Sequence, residues 1–138
     1  MDTRPQDRPL LDAFLWLLVV VMAALVAYTS LKAPGDGSLP GSDKLLHFLA
    51  YTGLTLSTLL AGVWAPVRGL GRLPKSALPL TVASFLFGVV IEVVQGPMPG
   101  RDAELLDAFA NAGGAMTAFV IWALWRIGAT SPRGSFGA

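Results

Sequence analysis

The sequence predicts an all-α membrane protein: a polytopic bundle of four transmembrane helices with both termini cytoplasmic. Three observations predict it. Of the 138 residues, 54% are hydrophobic and only 14% charged, where soluble domains carry about 25% charged residues; mean hydropathy is +0.61. Four windows are long and apolar enough to cross a bilayer, which takes about 20 residues in helical form. Lysine and arginine are divided unequally between alternate connectors, which is the pattern that fixes orientation.

The first span runs over about 11–31, with no charge between Asp12 and Lys32. Arg4 and Arg8 precede it, but the run is longer than a signal-peptide core and no small-residue cleavage site follows, so it is read as a retained helix. The second span, about 45–64, has no formal charge before Arg68. Ser42 is placed to cap it, and Asp43 suits the positive end of its dipole. The third, about 76–95, carries one acid, Glu92, near its end, and Pro79 falls in its first turn, where proline is tolerated. The fourth, about 106–125, has only Asp107 near its start. Period alone does not separate helix from strand here, but windows of this length in lipid do.

The connectors carry turn residues: Pro34, Gly35, Gly37, Pro40 and Gly41, then Pro66, Gly69, Gly71 and Pro74, then Gly96, Pro97, Pro99 and Gly100. The chain therefore divides into a cytoplasmic segment 1–10, a membrane domain 11–126 and a tail 127–138 expected to be disordered.

Of the ten Lys and Arg residues, seven (Arg4, Arg8, Arg68, Arg72, Lys75, Arg126 and Arg133) fall on one side and three (Lys32, Lys44 and Arg101) on the other. The richer side is cytoplasmic, so the first and third connectors face outward. The absence of cysteine excludes disulfides and thiolate chemistry, and the single histidine, His47, excludes a multi-histidine metal centre within one chain. The basic residues of the second connector are explained by orientation, so no nucleic-acid partner is expected.

The polar residues gather at the outward end. Asp43, Lys44, His47 and Tyr51 open the second span at helical-neighbour spacing; Glu92 and Gln95 share a face at the end of the third; Asp107 and Asn111 share a face on the fourth, with Arg101 on the connector between. An ionisable residue inside an apolar span is expensive and marks a functional site by default. These nine residues are the candidate binding set. The competing reading is structural: Asn111, Gln95 and Glu92 tie helices by hydrogen bonds, with Arg101 neutralising an acid. Gly53, Ser57 and Ala61, and likewise Ala110, Gly114 and Ala118, form small-residue rows suited to close helix packing. Trp16, Trp64, Trp122 and Trp125 read as span and interface aromatics.

Taken together, Asp43-Lys44-x-x-His47-x-x-x-Tyr51, Glu92-x-x-Gln95, and Arg101 followed by Asp107-x-x-x-Asn111-x-x-Gly114 resemble the VanZ-like family of small membrane proteins, over about 42–118. The acidic Asp102-Ala103-Glu104 after Arg101 departs from the family pattern and leaves the partner of Arg101 open. The resemblance implies a multi-pass protein of the bacterial plasma membrane, in a family whose namesake is linked to teicoplanin resistance. It does not imply a reaction.

The reading that follows is an outward-facing pocket binding a polar or anionic lipid-linked cell-envelope headgroup, with Arg101 on phosphate or carboxylate, Lys44 and His47 adding charge, and Asp107, Asn111 and Gln95 orienting. The alternatives are a structural or partner-binding bundle, in which an oligomer or another membrane protein completes the unit, and an enzyme using Glu92 and His47 as acid and base. No nucleophile elbow, phosphate loop or zinc-protease motif is present. No cofactor is expected and no residue is assigned as a metal ligand, although Glu92, Asp107 and Asp43 offer oxygen ligands to a hard cation.

Overall fold

The computed structural model describes residues 9–31, 42–63, 76–97 and 105–130. They form four helices: α1 (Pro9–Leu31), α2 (Ser42–Val63), α3 (Ala77–Gln95) and α4 (Leu105–Thr130). All four are long and apolar enough to cross a membrane. Pro9 opens α1 at the position where a missing N–H costs nothing, and no glycine or further proline interrupts the helix after it. Asp12, Asp43 and Asp107 lie in the first turns of α1, α2 and α4, where the dipole favours an acid. α4 continues to Thr130, past the expected boundary at 126, so the start of the expected disordered tail is helical. The rest of that tail, the segment 1–8, Trp64, Arg101 and the basic residues of the second connector lie outside the described residues.

Successive helices run antiparallel, so α2 and α4 are parallel neighbours. The pairings show this: His47 meets Asn111, Thr52 meets Gly114, and Leu59 packs with Trp122, advancing together along both helices. α3 runs the other way, with Glu92 at Asn111 and Ala77 beside Leu59 and Trp122. α1 follows α3, with Gln95 on Ser30 and Val26 against Tyr51 and Leu54. α2 is central, packing on all three other helices, and its interface with α4 is the largest.

That interface is close because of Gly114. A Cβ there would run into the Phe48 carbonyl oxygen and lie 3.0 Å from the Thr52 amide nitrogen, both backbone atoms that cannot swing aside. Thr52 Oγ1 donates to Phe48 O at 2.7 Å and, across the interface, to Gly114 O at 3.2 Å. Ala118, one turn on, is fully buried. Gly53 makes a different contact: its missing Cβ would face the Met22 methyl of α1 at 2.9 Å, a flexible side-chain tip rather than backbone. Ser57 is buried and Ala61 and Ala110 are half-buried.

The face that carries Gly114 and Ala118 inward carries Trp122 with it. Trp122 is a core residue, 2% exposed, packed with Leu59 and Ala77 and with Arg126 stacked 5.3 Å above its ring. This corrects its reading as an interface aromatic; Trp16 and Trp125 do lie exposed. The buried hydroxyls of Ser57, Thr58, Thr81 and Ser84 donate to carbonyls of their own helices, which satisfies them where no water is at hand. Large apolar side chains point outward on every helix, among them Phe14, Leu49, Val93 and Phe109. On α1 only 6% of the apolar window is buried. Apolar surface on this scale is what a lipid solvent covers.

Candidate functional site

The helix directions bring the N-terminal turns of α2 and α4 to the same end of the bundle as the C-terminal turns of α1 and α3. The polar residues predicted from the sequence, Arg101 apart, lie there. At ~1.5 Å per residue, His47, Asn111 and Glu92 each sit roughly 5–9 Å inside their helix ends.

At the centre is Asn111, 1% exposed. Its Nδ2 donates to Glu92 Oε1 at 3.4 Å, and its Oδ1 lies 3.0 Å from His47 Nδ1. One amide thus joins α2, α3 and α4. Because the amide nitrogen is engaged by Glu92, His47 meets the oxygen, and its Nδ1 must carry the proton that is donated. A neutral imidazole in this arrangement has its lone pair on Nε2. Glu92 Oε1 is also 4.0 Å from His47 Nδ1.

On the solvent side of His47 lies a second set. Nε2 is 3.7 Å from Asp43 Oδ1 and 3.8 Å from Asp107 Oδ2. The other oxygens of the same carboxylates turn to Lys44, whose Nζ is 2.6 Å from Asp107 Oδ1 and 3.6 Å from Asp43 Oδ2. His47 and Asp107 are each 6% exposed, while Asp43 is open to solvent. Removing a charge as buried as Asp107 from water is costly, and the close ammonium is what offsets it.

Tyr51 and Glu92 hold unused capacity. The Tyr51 hydroxyl, on a fully buried side chain, and Glu92 Oε2 have no hydrogen-bond partner among the described residues. In a membrane-embedded bundle an unsatisfied polar group costs more than it would near water.

Gln95 leaves the cluster. Its Nε2 donates to the Ser30 carbonyl and so ties the end of α3 to the end of α1. Two features carried no signal recognised in the sequence. Gly88 lets the Tyr51 ring and the Asn111 amide approach α3: a Cβ at this position would be 2.9 Å from Tyr51 Cε1 and 3.1 Å from Asn111 Nδ2. The second is α1, which supplies one wall of a small open cleft of ≈ 60 Å³ lined by Thr29, Ser30, Asp43, Leu46, His47, Ala50 and Tyr51. The polar pair Thr29-Ser30 at the end of an apolar run was the available sign. A water needs about 10–15 Å³ of such space, so the cleft has room for a few waters, for an ion with its waters or for the tip of a headgroup.

Comparison with family models, with curated proteins and with solved structures returns no match.

Proposed function

We propose that this chain is a multi-pass protein of a bacterial plasma membrane, of the VanZ-like kind, that binds the polar or anionic headgroup of a lipid-linked envelope molecule at the outer end of its bundle. The observation that carries the proposal is that Tyr51 OH and Glu92 Oε2 are two of the four buried side-chain atoms without a hydrogen-bond partner among the described residues; Thr55 Oγ1 and Asp107 Oδ1 are the others, and Asp107 Oδ1 faces the Lys44 ammonium. A polar knot built only to hold helices together satisfies its own members. Here the Asn111 bonds are made, and a donor and an acceptor remain over; Tyr51 lines the cleft together with His47, and Glu92 lies behind them on the far side of Asn111 Nδ2. A headgroup tip entering the cleft supplies the missing partners. The outward orientation rests on the charge asymmetry of the connectors.

The test is binding of a polyprenyl-diphosphate-linked saccharide to the purified full chain in nanodiscs. Tyr51→Phe and Glu92→Gln are expected to weaken binding at least tenfold while the melting temperature stays within a few degrees. Unchanged binding by both variants would refute the site.

A structural or partner-binding bundle is the second reading. The interhelical bonds from Gln95 to Ser30 and from Thr52 to Gly114 favour it. It expects every substitution in the cluster to lower melting temperature and binding together. An acid–base role for Glu92 and His47 is the weakest of the three, since Asn111 already engages one atom of each and no catalytic motif accompanies them.

A further inference from the structure

We infer that Asp43, His47 and Asp107 form a binding site for a single divalent transition-metal cation of the zinc or manganese type, open to the cleft between α1 and α2. The three residues each bring one ligand atom within 4.8 Å of the others. Proximity of acids alone would carry little. The second observation is the state of His47. Its side chain is 6% exposed, its Nδ1 is held by Asn111, and the two carboxylate oxygens that face its Nε2 among the described residues stand at 3.7 and 3.8 Å, beyond hydrogen-bonding distance. With Nδ1 turned to Asn111, Nε2 and one oxygen of each carboxylate converge on one point, and the Lys44 ammonium sits on the far oxygens of both carboxylates.

The surroundings match what a metal site needs. A ligating histidine donates its other ring N–H to an oxygen acceptor, which fixes tautomer and ring orientation, and Asn111 Oδ1 is that acceptor at 3.0 Å. Lys44 takes Asp107 Oδ1 and faces Asp43 Oδ2, so each carboxylate has one oxygen turned away and one turned to Nε2. A point equidistant from three atoms at these separations lies at most about 2.4 Å from each, within a few tenths of an ångström of the ~2.0–2.2 Å of zinc–imidazole and zinc–carboxylate bonds. One imidazole with two carboxylates suits zinc or manganese better than magnesium or calcium, which favour oxygen alone. Three protein ligands leave at least one position open, and the cleft lined by Asp43 and His47 gives water or an oxyanion access to it. The site does not depend on whether a headgroup binds.

Calorimetric titration of Zn2+ into the chelator-treated full chain in nanodiscs tests the proposal, with Mn2+ paramagnetic resonance as a second readout. The expected result is one equivalent per chain, with affinity lowered at least tenfold in His47→Gln and in Asp107→Asn. Asn111→Leu is expected to lower it ten- to a hundredfold through the lost imidazole orientation. Because the buried variants are exposed to misfolding, Asp43→Asn is the deciding one: its side chain is exposed, so it is expected to keep the metal-free melting temperature and lose both the tenfold in affinity and the stabilisation by Zn2+. No stoichiometric binding by the wild type, or wild-type affinity in Asp43→Asn, overturns the proposal.

Discussion

His47 and Asn111 face each other across the α2–α4 interface with Nδ1 and Oδ1 3.0 Å apart, and neither residue has another way to satisfy those atoms among the described residues. The pair belongs to two helices that are not consecutive, so it reports on tertiary assembly rather than on either helix alone. Asn111→Leu keeps the number of side-chain heavy atoms and removes the bonds to His47 and Glu92. The expected loss is about 1–3 kcal/mol of unfolding free energy, read by steric trapping or denaturant titration in mixed micelles.

Gly113 and Gly114 are adjacent and make opposite predictions. A Cβ at 113 meets the Phe48 ring at 3.6 Å, an ordinary contact, whereas one at 114 strikes the Phe48 backbone. Gly114→Ala is expected to cost about 1–3 kcal/mol by overpacking, and Gly113→Ala to be near neutral or slightly stabilising. Parallel thermal melts of the two variants decide it, and equal melting temperatures would be inconsistent with the backbone contact.

Gly88→Ala alters no polar group, yet it presses on the Tyr51 ring and the Asn111 amide. Headgroup binding is expected to fall at least as much as in Tyr51→Phe. The His47 ring resonances are expected to shift in the variant, since Asn111 is displaced.

Gln95→Leu is expected to loosen α1 while sparing the other three helices, because Gln95 holds the Ser30 carbonyl. About 0.6–2 kcal/mol is at stake for one interhelical bond in lipid. Disulfide trapping between cysteines placed at Val26 and Leu54, which pack together in the wild type, should become slower in the variant. An unchanged trapping rate would show that apolar packing alone seats α1.

Orientation is open to direct test, because the chain has no cysteine of its own. Single cysteines at positions 37, 71 and 100 in whole cells treated with an impermeant maleimide are expected to label at 37 and 100 and stay silent at 71. Labelling at 71 alone would turn the polar end toward the cytoplasm.

Four helices were legible because length and hydropathy alone decide them: Leu11 to Leu31 contains nothing that ends a helix, and the prolines and glycines fall between spans. The convergence of His47, Glu92, Asp107 and Asn111 was legible because three spans that alternate in direction must bring those helix ends together. What spacing did not show was rotation about each helix axis. Glu92 and Gln95 share a face by periodicity, but α3 is wedged between α4 and α1, so Glu92 turns to Asn111 and Gln95 to Ser30. Trp122 read as a boundary aromatic for the same reason: its residue type suggests an interface, and only the Gly114–Ala118 row shows that its face is buried. The division of each carboxylate between Lys44 and His47 lay beyond pattern reading, since it depends on side-chain torsions.

The parallel pairing of α2 with α4 has a consequence for biogenesis. The two helices that hold Asp43, His47, Asp107 and Asn111 are separated in the chain by all of α3. A chain inserted helix by helix would place His47 and Glu92 before Asn111, the residue that joins them, is present. The polar end of the bundle would therefore stay incomplete until α4 joins α2 and α3.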